Sequence, residues 1–141
     1  MRRATEAQRQ RLHETFEALC RIESRSGQER RCADWVAEAL REIGLEPHED
    51  DAGARAGSDS GNLLTRVRGA HDASILLCAH LDTVPPVAPI EPVLVNGGWE
   101  NQNEGILGAD NKAAVAVMLE LARSLTEASE LPPVGLELPW L

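Results

Sequence analysis

The sequence predicts a layered α/β domain, and three observations carry that prediction. Apolar stripes with the 3.6-residue helical period run through 5–22, 28–43 and 112–127, and extended apolar segments lie among them at 62–68, 74–79 and 134–138. The segment Ser74-Ile-Leu-Leu-Cys-Ala79 is apolar almost throughout, which predicts a strand buried on both faces in the middle of a sheet. Helices alternating with such strands bury their stripes in layers. The 141 residues amount to one domain. With aromatics at 3%, the core must be built from Leu, Val, Ala and Ile.

The first helix is expected over Thr5–Ile22, where Leu12, Phe16, Leu19 and Cys20 form one stripe. Ser24-Arg-Ser-Gly27 breaks it, and Ser26 stands before Gln28 and Glu29 as a capping hydroxyl ahead of an acidic first turn. The second helix runs to Ile43 on the stripe Cys32, Trp35, Val36, Ala39, Leu40 and Ile43, and Gly44 closes it. Leu45–Glu49 reads as a short edge strand, Asp50–Gly61 as a mobile loop rich in Asp, Gly and Ser, and Asn62–Arg68 as a strand. A stretch dense in Pro and Gly then separates Asp82 from Gly108. Within it Ile90–Val95 and Gly105–Leu107 are expected to pair around Gly97-Gly98. Long loops behind a buried strand are where sites are built. The third helix covers Lys112–Glu127. Ala114, Val117, Met118, Leu121 and Leu125 mark its main stripe, widened by Val115, Leu119 and Ala122. Val134–Leu138 begins another buried strand, which Pro139 stops.

Charge excludes one class of partner. Net charge is -9, yet residues 1–31 carry eight Arg against five Glu, so the acidity lies in the main body. An acidic body argues against nucleic acid, and arginines interleaved with Glu on a helix read as a solvated face. No apolar run is long enough to span a bilayer, and polar Thr5–Arg11 stands where a secretory leader would be apolar. Cys20, Cys32 and Cys78 lack Cys-x-x-Cys spacing and read as small buried hydrophobes in a reducing cytoplasm.

The chemistry concentrates in His80-Leu-Asp82 and Asp110. A catalytic zinc site uses imidazole nitrogens and carboxylate oxygens and leaves one position for water. The ligating ring usually has its other nitrogen held by a carboxylate. His-x-Asp after a strand can supply both, and Asp110, immediately before a helix, could bridge two metals. Each residue also has a plainer reading. His80 could be a satisfied near-core histidine, Asp82 an Asx-turn residue and Asp110 a helix cap.

In combination these segments are more specific. Cys78-Ala-His-Leu-Asp-Thr-Val-Pro85, the turn-rich loop and Glu104-Gly-Ile-Leu-Gly-Ala-Asp-Asn-Lys-Ala-Ala114 resemble the M20 family of zinc peptidases, nearest its peptidase T-like, tripeptide aminopeptidase-like branch. Ser26-Gly-Gln-Glu29 fits the same family, and the likeness covers residues 10–138. The resemblance implies a three-layer α/β/α zinc-exopeptidase catalytic domain, with residues 1–141 as its N-terminal part. It implies His80 as a zinc ligand, Asp82 as the catalytic-site carboxylate orienting that ring, and Asp110 as the bridge between two zinc ions, joined to Asn111 by a cis peptide. It also implies a short peptide or acylated amino acid as substrate, and a lid domain that often forms a homodimer. Cobalt or manganese would suit the same ligands.

The family pattern continues past Val134-Gly-Leu-Glu-Leu138 to a Glu-Glu pair, a further acidic ligand and a second histidine, none of which can be assigned here. Glu137 is out of register for the general base, and Pro139-Trp-Leu141 departs from the pattern. The expectation is therefore a truncated or frameshifted metallopeptidase, inactive as this chain and without the lid. The competing expectation is a non-catalytic α/β binding module that keeps a partial metal site.

Overall fold

A computed structural model describes residues 3–141. Helix α1 spans Glu6–Cys20, and Thr5 caps it reciprocally with Gln8. Helix α2 spans Arg30–Glu42, and Gly44 follows it in the left-handed region. Strand β1 (His48–Glu49), helix α3 (Ala52–Ala56) and strands β2 (Leu63–Val67) and β3 (Ser74–Leu76) come next. Strands β4 (Pro92–Val95) and β5 (Gly98–Asn101) form a hairpin, followed by helix α4 (Ala109–Thr126) and strand β6 (Gly135–Trp140).

The α/β architecture is the expected one. The main sheet has the order β1-β2-β6-β3, with β6 antiparallel to β2 and parallel to β3. Leu63, Thr65 and Val67 of β2 face inward, as do Leu136, Leu138 and Trp140 of β6. Their apolar members share one core with Phe16, Leu19 and Cys20 of α1, Val36 and Leu40 of α2, and Val115 and Leu119 of α4. Leu64 and Arg66 lie on the other face and are exposed. The period-two alternation thus separates a helix-covered face from an open one. Arg9 of α1 and Arg21 just beyond it are solvated as expected, pairing with Glu6 and Glu17, whereas Arg11 forms a partly buried pair with Glu120 of α4.

Several expectations need correction. Strand 74–79 is not buried on both faces. Its regular strand, β3, lies at the sheet margin with β6 as its one neighbour, and Ile75 and Leu76 are exposed. Cys78 is likewise exposed, whereas Cys20 and Cys32 are buried as expected. Pro139 does not stop β6. It contributes no N–H, but its carbonyl still accepts from the Ala79 amide at 3.3 Å, and Trp140 beyond it is fully buried.

The loop 50–61 folds into α3 around the Asp50 carboxylate, which accepts from the amides of Ala52 and Asn62 and from the Asn62 side chain. The hairpin partner of β4 is β5, not Gly105–Leu107. Asn96 and Gly97 both take positive φ (50° and 82°), the two-residue turn that closes a hairpin on the residues immediately following. On α4 the buried side is Val115, Met118, Leu119 and Ala122. Val117 faces outward instead, beside Leu12, Phe16 and Trp99.

Candidate metal centre

The strand-end geometry places His80. Beyond β3 the chain continues beside β6: the Leu77 amide donates to Glu137, the Leu141 amide to Ala79 and the Leu81 amide to Leu141, at 3.0, 2.9 and 2.6 Å. Ala79 and Leu81 are buried, so extended-chain alternation turns His80 away from the core. The connection between α1 and α2 grips this segment from the other side. The Ser24 hydroxyl donates to the Leu81 carbonyl at 2.7 Å, and the Thr83 amide donates to the Ser24 carbonyl at 2.7 Å.

Asp110 arrives from the start of α4. Gly108 precedes it with φ 81°, a left-handed conformation suited to glycine. Asp110 and Asn111 have non-helical dihedrals, and the peptide between them is cis. This opening is anchored from beneath by Lys112, which is fully buried and donates from Nζ to the Ile22 carbonyl. Burial pushes the Lys112 ammonium below the ordinary lysine range. The same environment raises the Cys20 thiol to about 11 by desolvation.

The three residues named from the sequence converge. His80 Nδ1 donates to Asp82 Oδ1 at 2.9 Å and lies 3.0 Å from the Asp82 carbonyl oxygen. The other ring nitrogen, Nε2, faces Asp110 Oδ1 at 3.2 Å. The plainer readings do not describe these contacts. The His80 side chain is 41% exposed and no core residue. The Asp82 carboxylate is taken by His80 and by Ser26, and Asp110 makes no capping bond to α4.

With Nδ1–H committed to Asp82, Nε2 of a neutral ring carries a lone pair. That lone pair and an Asp110 oxygen are then adjacent donors that one metal cation could share, whereas a protonated ring would donate its Nε2–H to Asp110 directly. Two ligands about 2.0–2.2 Å from one zinc ion at a tetrahedral angle stand roughly 3.4 Å apart. The observed 3.2 Å fits that spacing. The donor set is chemically right but short. Among the described residues no group of three His, Cys, Asp or Glu side chains could hold a metal. Glu137 is engaged elsewhere, accepting from Ser74 and pairing with Arg66.

Ser26 is the residue sequence reasoning misplaced. It does not cap α2, whose N-cap is Glu29 without a side-chain capping bond. Its hydroxyl donates to Asp82 Oδ2. The break at Ser24-Arg-Ser-Gly27 signalled a turn here, but nothing local in sequence says that the turn faces a carboxylate 56 residues away.

Comparison with known proteins relates the chain to peptidases. The sequence model of peptidase family M28 matches residues 62–141. The aminopeptidase PepT of Bacillus cereus superposes with a TM-score of 0.84 at 31% identity, over 93% of this chain and 35% of that one. A tripeptidase of Staphylococcus aureus gives 0.82 at 29% identity, with the same coverage of each chain. An Aspergillus terreus protein described as a probable carboxypeptidase is 32% identical over 123 residues, 84% of this chain and 28% of its own length. The chain spans about a third of the length of the curated relatives it matches. No helix among the described residues is long and apolar enough to cross a membrane.

Proposed function

The chain belongs to peptidase family M28, and from that membership we propose that it carries half of a two-zinc centre that hydrolyses peptide or amide bonds of short peptides. The observation that carries this reading is the 3.2 Å approach of His80 Nε2 to Asp110 Oδ1 with Nδ1 already committed to Asp82. His80 and Asp110 would hold metal, zinc being the proposed ion and cobalt or manganese alternatives for the same donors. Bound metal would supply an activated water and polarise the scissile carbonyl.

The chain's own residues do the orienting. Asp82 fixes the ring tautomer that presents Nε2, and the stitch from Ser24 to Leu81 and Thr83 holds the segment bearing His80. The exposed Asp110 carboxylate is free to be shared between two ions. The family model that matches is M28, not the M20 family that the motifs resemble; we propose a further kinship with the M20, peptidase T-like zinc peptidases, supported by the two motifs and by the likeness to the Bacillus cereus aminopeptidase. A short-peptide substrate rests on the same support. The three unpaired cysteines fit a reducing compartment such as the cytoplasm.

Residues 1–141 alone are proposed to bind metal without turning over peptides. At this centre no described residue supplies a third ligand, and none is placed as a general base. Titration calorimetry with zinc tests the reading. Binding by the wild-type chain that His80→Ala and Asp110→Ala each abolish is expected, together with no cleavage of di- or tripeptides. Binding that survives both substitutions would falsify the assignment of ligands. Chelator-sensitive turnover by residues 1–141 would overturn the division of labour.

A further inference from the structure

We propose that Ser26 is a positioning residue of the metal centre: it holds the Asp82 carboxylate in the rotamer that fixes the His80 ring. The proposal rests on the functional reading above and extends it by one residue. Asp82 has two oxygens with separate tasks. Oδ1 accepts from His80 Nδ1 at 2.9 Å, and Oδ2 accepts from the Ser26 hydroxyl. The contacts run Ser26–Asp82–His80–Asp110 in a single line across three separate parts of the chain.

Torsion about the terminal carboxylate bond of Asp is broad and roughly two-fold. A single hydrogen bond to His80 leaves that torsion soft, and a second donor on the opposite oxygen narrows it. The Asp82 side chain is about one-third exposed, so water would otherwise compete at Oδ2.

The Ser26 backbone is itself held, as a positioning residue requires. Arg25 forms a parallel bridge with Thr83, and the Gln28 amide donates to the Arg25 carbonyl at 2.7 Å. Gly27 adopts φ +87°, and a Cβ there would come within 3.3 Å of the Gly57 carbonyl oxygen. The Gly27 amide donates to Glu29, whose carboxylate also accepts from Ser58. Ser26 is exposed, so its hydroxyl adds no apolar burial that could account for its placement. A capping role is absent as well, since α2 begins at Arg30 without a side-chain cap.

The test uses the 141-residue chain with Ser26→Ala, Ser26→Thr and Asp82→Asn. Zinc affinity is measured by calorimetry, and the ring tautomer of metal-free His80 by nitrogen-15 NMR at mildly alkaline pH. Loss of a partner to a metal-bound histidine typically weakens metal affinity about 10–100-fold. Ser26 acts one step further out, so Ser26→Ala should weaken zinc binding roughly three- to tenfold. It should also shift the His80 ring from one tautomer to a mixture. Ser26→Thr, which keeps the hydroxyl, should restore both signals.

Unchanged affinity and an unchanged ring signature in Ser26→Ala, with zinc binding lost in Asp82→Asn, overturns the role of Ser26 and leaves the metal reading standing. A wild-type chain that binds no zinc removes the metal reading. The ring signature then decides Ser26: a shift in Ser26→Ala reversed in Ser26→Thr supports it, and no shift defeats it.

Discussion

Ser24→Ala is the most informative stability experiment, because one hydroxyl joins the helical connection to the segment that bears His80. Ser24 is fully buried, and its Oγ donates to the Leu81 carbonyl at 2.7 Å. Leu81 is itself buried, and its carbonyl has no other hydrogen-bond donor among the described residues. The substitution therefore leaves a buried acceptor unpaired, a loss of about 1–3 kcal/mol. Domains of this kind have roughly 5–15 kcal/mol of total stability. A loss near 2 kcal/mol should lower the melting temperature by roughly 4–8 °C. Urea denaturation followed by circular dichroism measures it, with Ser26→Ala as the control. The exposed Ser26 hydroxyl should cost well under about 1 kcal/mol. If Ser24→Ala unfolds within about 0.3 kcal/mol of wild type, the stitch does not hold the segment and the account of how His80 is placed is wrong.

Three further outcomes follow from the same contacts. Leu138→Ala removes a side chain that is 1% exposed at the centre of β6 and should cost about 2–5 kcal/mol, read by the same denaturation. Under native conditions an alkylating reagent should label Cys78 rapidly, while Cys20 and Cys32 react only after unfolding, since they are buried and burial raises both thiols; mass spectrometry of labelled peptides would expose a different order. The hydrogen bond from Arg30 holds the Glu49 carboxyl below its ordinary value. Its stabilisation is therefore present above about pH 4.3 and is lost as pH falls through the lower folded-state value. Glu49→Gln should flatten that part of the acid-unfolding curve, modestly because the pair is about one-third exposed.

The helices were legible in the sequence because their stripes are local. The faces of α1 and α2 follow Phe16, Leu19, Val36 and Leu40 as the periodicity requires. What failed depended on partners far away in sequence. The run 74–79 has a composition fit for a central strand, but composition does not say whether strands exist on both sides, and β3 has one neighbour. Val117 has the right period for the core of α4 but lies on the side where α1 and Trp99 leave it exposed. The Asn96-Gly97 turn carried enough local information to fix the hairpin, and only the assumption of a wider loop hid it. At the candidate site His80, Asp82 and Asp110 could be named from spacing and resemblance. Ser26 could not be placed there, because its contact exists only once the α1–α2 connection folds onto the strand end.

The central claim is that one divalent cation sits between His80 and Asp110. Crystals of the 141-residue chain soaked in zinc, with anomalous diffraction collected at the zinc edge, test it most directly. The account predicts an anomalous peak within coordination distance, about 2.0–2.2 Å, of both His80 Nε2 and an Asp110 carboxylate oxygen, with Nδ1 still on Asp82. Zinc bound elsewhere, with the His80–Asp110 contact intact and metal-free, would contradict it.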